Sequence, residues 1–269
     1  MKAAPTTRDV TCSTALCKSR IPGMDWCLNP YTGCEHACAY CYATFMKRFT
    51  GHQGSWGSFV DVKSNVTEVL SRQLRRRKRG RVMLASVTDA WQPLEREKGL
   101  TRACLELLVD SGLSLWALTK SDLVVRDIDL FRAFRGLLGD VEVSVGITLT
   151  TLSDEVAALI EPGASSPSRR LDALEQLSAA GIRTAVFMAP ILPGLTDSPR
   201  DILALVDEVR RRGAQEVQAD PLNFYPGALR GVGKIIELHR PKALPIWRAA
   251  VARPDAWRKH LREALGEMV

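Results

Sequence analysis

Hydrophobic and polar positions along the chain follow two periods, one typical of strands and the other typical of helices. Short apolar or alternating runs predict strands near residues 82–85, 115–119, 141–147, 186–188 and 216–219. Apolar residues at three- and four-residue spacing predict helices near residues 66–74, 97–109, 125–138, 171–177 and 202–209. Alternation of strand and helix predicts an α/β protein with a parallel sheet and right-handed crossovers.

Polar residues mark the starts of three of these helices. Asn65, with Glu68 three residues later, is typical of a helix start, and Ser168 is expected to cap the helix near residue 171. The sequence Ser198-Pro-Arg-Asp is a capping box with proline in the first turn. Gly181 is expected to end the helix near residue 177.

The strand–helix unit repeats about six times if a cysteine-rich loop near residues 34–41 and its preceding segment count as the first. Such repetition fits a doubly wound sheet or a barrel, and in both folds functional groups lie at the carboxyl ends of the strands. Apart from one alanine, the predicted strand ends contain small polar or charged residues, which favours a ligand site, although such residues also favour turns. The strand-end residues are Ser86, Thr88, Asp89, Thr119, Lys120, Ser121, Ser144, Thr148, Ala189, Asp220 and Asn223.

Composition is that of an ordinary globular protein. The chain has 269 residues, of which 46% are hydrophobic and 25% charged, so one large domain, with or without a small appendage, is expected. The sequence contains no run of about 18 apolar residues, so it predicts no membrane-spanning helix. Residues 1–20 are polar and mixed, with no hydrophobic signal segment, so we expect a cytoplasmic protein.

The net charge of +7 permits binding to a polyanion without requiring it. Most of the local basic excess lies in RRRKRGR, from Arg75 to Arg81. This run could contact phosphates, or it could be the solvated end of a helix that stops at Gly80. We favour the helix end, because no aromatic residues are interleaved with the cations.

The most informative segment is NPYTGCEHACAYCYA, residues 29–43, which contains Cys34, Cys38 and Cys41 in a C-x3-C-x2-C array. Soft thiolate ligands select zinc or iron–sulfur centres. A structural metal site is expected to have a fourth ligand, whereas this array contains three cysteines. A four-iron cluster held by three cysteines keeps one iron open for an exogenous ligand.

Two other interpretations of the cysteines are possible. A zinc loop could take Cys27 or His36 as its fourth ligand, although His36 is very close in sequence to the cysteines on either side of it. Disulfides are less favoured, because the seven cysteines are an odd number and a reducing cytoplasm is expected. Cys12, Cys17 and Cys27 could bind a second metal or supply a thiol, but we favour incidental residues, and Cys104 is expected in the core.

The cysteine spacing resembles that of the radical S-adenosylmethionine (SAM) superfamily. Five further segments narrow the resemblance to the spore photoproduct lyase-like group, and the resemblance extends from about Lys18 to Asn223. The segments are IPGMDWCLNPYTGC, the CYA after the third cysteine, SVTDAWQPLE, LTKSDLVVRD and APILPGLTD. The resemblance implies an α/β fold with a partial (β/α)6 TIM-type barrel, and the residues after Asn223 predict a helical C-terminal extension. We therefore expect an N-terminal tail (1–20), a radical SAM core domain (21–225) and the helical extension (226–269).

The resemblance also implies the site. Cys34, Cys38 and Cys41 would ligate a [4Fe–4S] cluster, and Lys120 would contact the SAM carboxylate. One of two aromatic residues beside the third cysteine would lie near the adenine, and three strand-end residues would fall near other SAM contacts. The full set of implied SAM-binding residues is Tyr40, Tyr42, Thr88, Lys120, Ser144 and Ala189.

The implied activity is reductive cleavage of SAM to a 5′-deoxyadenosyl radical that abstracts a hydrogen atom from a substrate. An electron donor such as flavodoxin or ferredoxin is implied, while the substrate could be a small molecule, a peptide or a nucleic acid. A DNA photolesion repair lyase of the spore photoproduct lyase type is the alternative. Ser86 argues against it, because spore photoproduct lyase has a hydrogen-donating cysteine at that position. A non-catalytic zinc- or cluster-binding nucleic-acid module is the third interpretation.

The sequence assigns no catalytic residue. Four residues near the predicted strand ends are candidates to line a substrate pocket, and one of them, Trp91, could equally be a buried anchor. The candidates are Asp89, Trp91, Glu95 and Asn223.

Overall fold

A seven-stranded sheet forms the centre of the molecule in the computed structural model, which describes residues 5–76, 79–134 and 141–266. Its strands are β2 (Leu16–Lys18), β3 (Trp26–Leu28), β6 (Arg81–Leu84), β7 (Ser114–Thr119), β8 (Val143–Thr148), β9 (Arg183–Ile191) and β10 (Glu216–Pro221). A smaller sheet has the order β1-β5-β4 and contains β1 (Thr6–Val10), β4 (Tyr31–Thr32) and β5 (Phe59–Lys63).

The central sheet has the order β10-β9-β8-β7-β6-β3-β2. Six neighbouring strands, from β3 to β10, are parallel, and β2 pairs antiparallel with β3 at the edge. The sheet is open rather than closed. This arrangement confirms the partial (β/α)6 barrel, with β3 and the cysteine loop after it as the first unit.

Helices cover the sheet and continue beyond it. Those within the barrel are α1 (Val66–Leu74), α2 (Glu95–Lys98), α3 (Leu100–Leu108), α4 (Ile128–Ala133), α5 (Asp154–Ile160), α6 (Pro167–Ala179) and α7 (Pro199–Arg211). The C-terminal helices are α8 (Pro226–His239), α9 (Leu244–Ala252) and α10 (Pro254–Gly266), and short 3-10 helices span Tyr42–Phe49, Asp122–Asp127 and Pro241–Ala243. None of the helices described is long and apolar enough to cross a membrane.

One face of the sheet packs against helices to form the main core. Alternate strand residues, such as Leu84, Ala117 and Val145, are buried there against helix residues such as Leu105 and Leu174. This alternation leaves the opposite side chains of each strand on the concave face. Polar residues at the carboxyl ends of the strands therefore meet at one mouth.

Several predicted helix boundaries were wrong in detail. The helix predicted over 97–109 is two helices, α2 and α3, because Gly99 has a left-handed backbone with φ of 63°. The helix expected from 125 starts as the 3-10 helix Asp122–Asp127, and residues 135–138 of that prediction lie outside the described residues. Ser166 rather than Ser168 caps α6, since its hydroxyl accepts the Arg169 N–H.

Other boundary signals are confirmed. The Ser198 hydroxyl accepts the Asp201 N–H at the start of α7, and Gly181 follows α6 with a φ of 76°. Asn65 precedes α1, but its side-chain oxygen accepts the Cys12 N–H instead of capping the helix.

Residues 6–18, within the predicted N-terminal tail, form strands of both sheets, because β1 pairs with β5 and β2 pairs with β3. α8 begins at residue 226, where the helical extension was expected. The division into tail, core and extension stays a prediction. The basic run begins at Arg75 directly after α1, and its residues 77–78 lie outside the described residues.

Candidate active site

The three cysteines of the C-x3-C-x2-C array line one cleft at the carboxyl ends of β6, β7 and β8. Cys34 is buried, while Cys38 and Cys41 are partly exposed. The loop that carries them approaches neighbouring backbone very closely. A Cβ on Gly33 would lie 2.4 Å from the Phe59 carbonyl oxygen, so only glycine fits there.

The cleft continues along the mouth of the barrel towards β9 and β10. Two adjoining parts share Cys38, Cys41, Tyr42, Leu118, Lys120 and Thr148. Of the predicted SAM-binding residues, Tyr42, Thr88 and Lys120 line the first part, and Tyr40, Tyr42, Lys120 and Ala189 line the second. The structure thus brings five of the six together with the cysteines.

Ser144 is the predicted residue that the structure does not bring to the cleft. It lies near the amino end of β8, where its hydroxyl is 3.5 Å from Glu142 Oε1. Strand residues rise by about 3.3 Å each, so Ser144 is about 13 Å from the carboxyl end of its strand. Thr148, at that end of β8, lines both parts of the cleft instead.

Thr88 and Gln92 attach the cysteine loop to the segment after β6. The Thr88 hydroxyl donates to the Gly33 carbonyl at 2.6 Å and accepts from Gln92 Nε2 at 3.2 Å. The side-chain oxygen of Gln92, which is fully buried, accepts the Glu35 N–H at 2.9 Å. Thr88 therefore orients the loop, in addition to lining the cleft.

Asp89 joins the ends of two strands to the same loop. Its carboxylate accepts the Thr119 hydroxyl at 2.7 Å and the Lys120 N–H at 2.9 Å. Nδ1 of the buried His36 lies 3.4 Å from the second oxygen of Asp89. Burial lowers the pKa of His36, and Asp89 opposes that shift.

A buried ion pair lies behind the cysteine loop. Glu161 and Arg170 are almost completely buried and contact each other, and Arg170 also donates to the Thr148 carbonyl at 2.9 Å. The Tyr40 hydroxyl donates to Glu161, so its ring is fixed beside Cys41. Lys120 Nζ lies 5.7 Å from the centre of that ring.

Burial and neighbouring charges shift the ionisation of the cleft. Burial raises the pKa of Cys34 and of Cys41, and it raises the pKa of Cys38 to about 12. Burial acts to lower the pKa of Lys120, but Cys38 and Glu161 outweigh it and raise the pKa. Since metal ligation requires thiolates, loading of this site would release protons.

The donor set fits an iron–sulfur cluster better than a closed zinc site. A zinc ion needs four ligands at about 2.0–2.3 Å around one point. Over the stretches 5–76, 79–134 and 141–266, no three His, Cys, Asp or Glu side chains gather around a single ion position. Cys34, Cys38 and Cys41 line one cleft and would hold an iron–sulfur cluster through their thiolates.

The remaining candidates lie elsewhere or have structural partners. Cys27 pairs in register with Cys17 on β2 and is absent from the residues found lining the cleft. Cys104 is buried in the core, as expected. Asp89 and Asn223 line the cleft, whereas Trp91 is a buried anchor that donates to Asp127.

Several residues of the site and its support were not predicted from the sequence, and four of them matter most for the cysteine loop. These are Trp56, which lines the cleft, and Gln92, Glu161 and Arg170, which are buried behind the loop. The burial of Arg170 could have been predicted, because its spacing places it on the same face of the helix as Leu174 and Leu177. A cation on an apolar stripe predicts a buried partner.

Comparison with known proteins identifies the family. The radical SAM superfamily matches residues 28–206. An uncharacterized protein of Methanocaldococcus jannaschii is 38% identical over 179 residues, which cover 66% of this chain and 65% of that protein. An uncharacterized protein of Mycobacterium tuberculosis is 31% identical over 284 residues, covering 99% of this chain and 82% of that protein.

A mutant spore photoproduct lyase with bound SAM and dinucleoside spore photoproduct has a similar fold. Its TM-score is 0.61 at 19% identity, and the match covers 86% of this chain and 66% of that one. This chain therefore spans about two thirds of the length of the lyase and of the archaeal relative. Because the superfamily match extends over more than half of its residues, the chain belongs to the radical SAM superfamily.

Proposed function

We propose that this chain is a radical SAM enzyme that cleaves SAM reductively in the cleft and abstracts a hydrogen atom from a bound substrate. One observation supports this most strongly. Three cysteines, a lysine ammonium and an exposed aromatic ring, namely Cys34, Cys38, Cys41, Lys120 and Tyr42, line a single cleft at the carboxyl ends of parallel strands. Functional groups of barrel folds lie at this end.

The cleft residues fit the proposed cofactors. A [4Fe–4S] cluster on Cys34, Cys38 and Cys41 would supply the electron for SAM cleavage and so the 5′-deoxyadenosyl radical. Lys120 offers the ammonium that a SAM carboxylate requires, and the neighbouring Cys38 and Glu161 favour its protonated form.

Aromatic and apolar residues complete the binding surface. The Tyr42 side chain is 52% exposed, and its hydroxyl donates to the Ser86 carbonyl, which holds the ring at the mouth for stacking on adenine. Leu118, Phe187 and Ala189 add apolar surface to the same part of the cleft. Such a surface excludes water from the substrate position and so protects a reactive radical.

A one-electron donor such as flavodoxin or ferredoxin is part of this proposal. The partly exposed Cys38 and Cys41 bring the proposed cluster close to the surface of the cleft. The net charge of +7 favours association with an acidic carrier protein. Binding should therefore weaken as salt is added.

The test is an anaerobic turnover experiment. Full-length protein is loaded with iron and sulfide, reduced with dithionite and mixed with SAM, and 5′-deoxyadenosine is measured. We expect its formation together with methionine. A protein that holds its iron but forms no 5′-deoxyadenosine would contradict the proposal.

A nucleic-acid substrate is the second candidate, because the 3-10 helix that begins in the cleft at Tyr42 exposes aromatic and basic side chains. The 3-10 helix Tyr42–Phe49 exposes Phe45 by 40% and Phe49 by 69%, and the Arg48 guanidinium lies 5.5 and 5.4 Å from their ring centres. Tyr225 is also 52% exposed. Bases stack on such rings while cations contact the phosphates.

Ser86 lines the same cleft and lacks the hydrogen-donating thiol of spore photoproduct lyase. On a nucleic acid, the proposed reaction is therefore abstraction of a hydrogen atom from the substrate. It does not include the return of a hydrogen atom from a thiol at position 86. The double variant Arg48→Ala, Phe49→Ala should weaken salt-sensitive binding of a single-stranded oligonucleotide. Unchanged binding, or binding insensitive to salt, would remove this candidate.

A further inference from the structure

The indole N–H of Trp56 is buried without a normal hydrogen-bond acceptor. Among buried side-chain nitrogen and oxygen atoms of the described residues, Trp56 Nε1 and Thr150 Oγ1 are the two without a partner. Leaving a buried donor unpaired costs free energy. Such an atom in a native fold requires an explanation, for example a group that binds there.

Trp56 faces the cysteine loop. It lines the first part of the cleft together with Cys34, Cys38 and Cys41. The Trp56 indole lies close enough to Cys41 to act on its sulfur, although it forms no regular hydrogen bond there. An indole N–H interacts more strongly with a thiolate than with a thiol.

The neighbours of Trp56 fix its position. Its ring meets the Phe59 ring edge-on, with the centres 5.9 Å apart at 89°. Gly57, with a φ of 91°, lies so close to Ala37 that a Cβ would be 2.3 Å from the Ala37 Cβ. The segment 56–59 thus packs directly on the cysteine loop.

We propose that Trp56 donates its indole N–H to the sulfur of Cys41 when that cysteine ligates iron, and so makes the cluster easier to reduce. Reduction adds negative charge to the cluster and its sulfurs. A hydrogen bond to a ligand sulfur stabilises that charge, which raises the reduction potential. The inference rests on the proposed function, because it requires a cluster at Cys41.

The matched substitution is Trp56→Phe, which keeps an aromatic ring and removes the N–H. The control is Trp257→Phe. Trp257 lies in α10, and its indole N–H donates to Asp197 at 3.0 Å. Both full-length variants are loaded with iron and sulfide, and the midpoint potential is measured by an anaerobic redox titration followed by electron paramagnetic resonance. Iron and sulfide are counted in the same samples.

We expect Trp56→Phe to bind the full amount of iron but to have a reduced-to-oxidised ratio about tenfold lower at any fixed potential. That change is about 59 mV for a one-electron couple. Trp257→Phe should match the wild type. A full-iron Trp56→Phe protein with an unchanged potential would overturn the proposal, as would an equal shift in both variants.

If Trp56→Phe does not retain iron, the proposed hydrogen bond is tested by spectroscopy of the wild-type protein instead. Protein with ¹⁵N in the tryptophan indoles is reduced, and electron–nuclear double resonance detects nitrogen close to the cluster. A ¹⁵N coupling and an exchangeable proton coupling are expected, and their absence would overturn the proposal. Failure of the proposed function is distinguishable, since the wild type would then hold no cluster or form no 5′-deoxyadenosine.

Discussion

Lys120 shows how single residues of the cleft acquire their chemistry from their neighbours. Its backbone N–H is fixed by Asp89 at 2.9 Å, and its ammonium lies against the Tyr40 ring. Burial alone would lower the pKa of this lysine, whereas Cys38 and Glu161 raise it. These neighbours favour the protonated form of Lys120, which lines the cleft.

Replacing Lys120 with methionine should weaken SAM binding while the iron content stays unchanged. A hydrogen bond to a charged group contributes about 1.5–3 kcal/mol, so the Kd should rise by about 10- to 100-fold. Equilibrium binding of SAM to the iron-loaded protein measures this. Lys98→Met, on the surface beside Glu97, is the control and should leave the Kd unchanged.

Cys38→Ala should abolish iron binding and formation of 5′-deoxyadenosine while the barrel stays folded, because Cys38 lies in a loop at the margin of a hydrophobic cluster and alanine keeps its apolar contact there. Iron analysis, product assay and circular dichroism test the three parts of this prediction. Cys17→Ala, an exposed residue of β2, should retain normal iron content. Retained iron in Cys38→Ala would contradict the ligand assignment.

At the scale of elements, the cysteine loop is positioned by the connection between α5 and α6. The Ala39 N–H donates to the Ile160 carbonyl at 2.8 Å, and the Gly163 N–H donates to the His36 carbonyl at 3.0 Å. A Cβ at Gly163 would lie 2.0 Å from the Glu35 carbonyl oxygen. The Glu161–Arg170 pair fixes this connection from behind.

Arg170→Met should destabilise the fold by about 3–5 kcal/mol at neutral pH, because it leaves the Glu161 charge buried without its partner. Urea unfolding of the wild type and the variant measures this. Arg212→Met, which removes a surface cation paired with Asp172 and Glu175, should cost about 0–1 kcal/mol. Equal losses in the two variants would show that the buried pair has no special role.

The same pair predicts a dependence on pH. Burial acts to raise the pKa of Glu161, but Arg170 and Lys120 outweigh it and lower the pKa below the ordinary 4.5. A depressed folded-state pKa contributes stability that is present above pH about 4.5 and is lost as pH falls through the folded value. The stability difference between wild type and Arg170→Met should therefore shrink in acid, as urea unfolding at several pH values would show.

Local signals predicted the elements well because they act within a few residues. An apolar run predicted β7 and alternation of apolar residues predicted β8, and the strand-end rule predicted that Thr88 and Lys120 share one cleft. Contacts between distant segments could not be predicted in this way. The pairing of β1 with β5 and the approach of residue 56 to the cysteine loop depend on packing rather than on periodicity.

At the scale of the whole molecule, the C-terminal helices pack against the cysteine loop. Tyr40 shares a hydrophobic cluster with Val232 and Ile236 of α8 and with Trp247 of α9. The sequence predicted helices in this region but gave no sign of their partner. The extension thus supports the cysteine loop at Tyr40.

Two glycines of α8 provide a direct test of that support. A Cβ at Gly231 would lie 2.2 Å from the Ala39 carbonyl oxygen, whereas a Cβ at Gly227 would meet only Thr44 Oγ1 at 3.6 Å, an ordinary contact. Alanine at either position gains helix propensity of up to about 1 kcal/mol. The steric difference should therefore decide the outcome.

We expect Gly227→Ala to keep or slightly raise stability, and Gly231→Ala to lower both the melting temperature and the iron retained after reconstitution. The reason is that Ala39 belongs to the backbone between Cys38 and Cys41, so α8 must move away or the loop must shift. Thermal unfolding and iron analysis of both variants measure this. If Gly231→Ala is as stable and as rich in iron as Gly227→Ala, the packing of α8 does not position the cysteine loop.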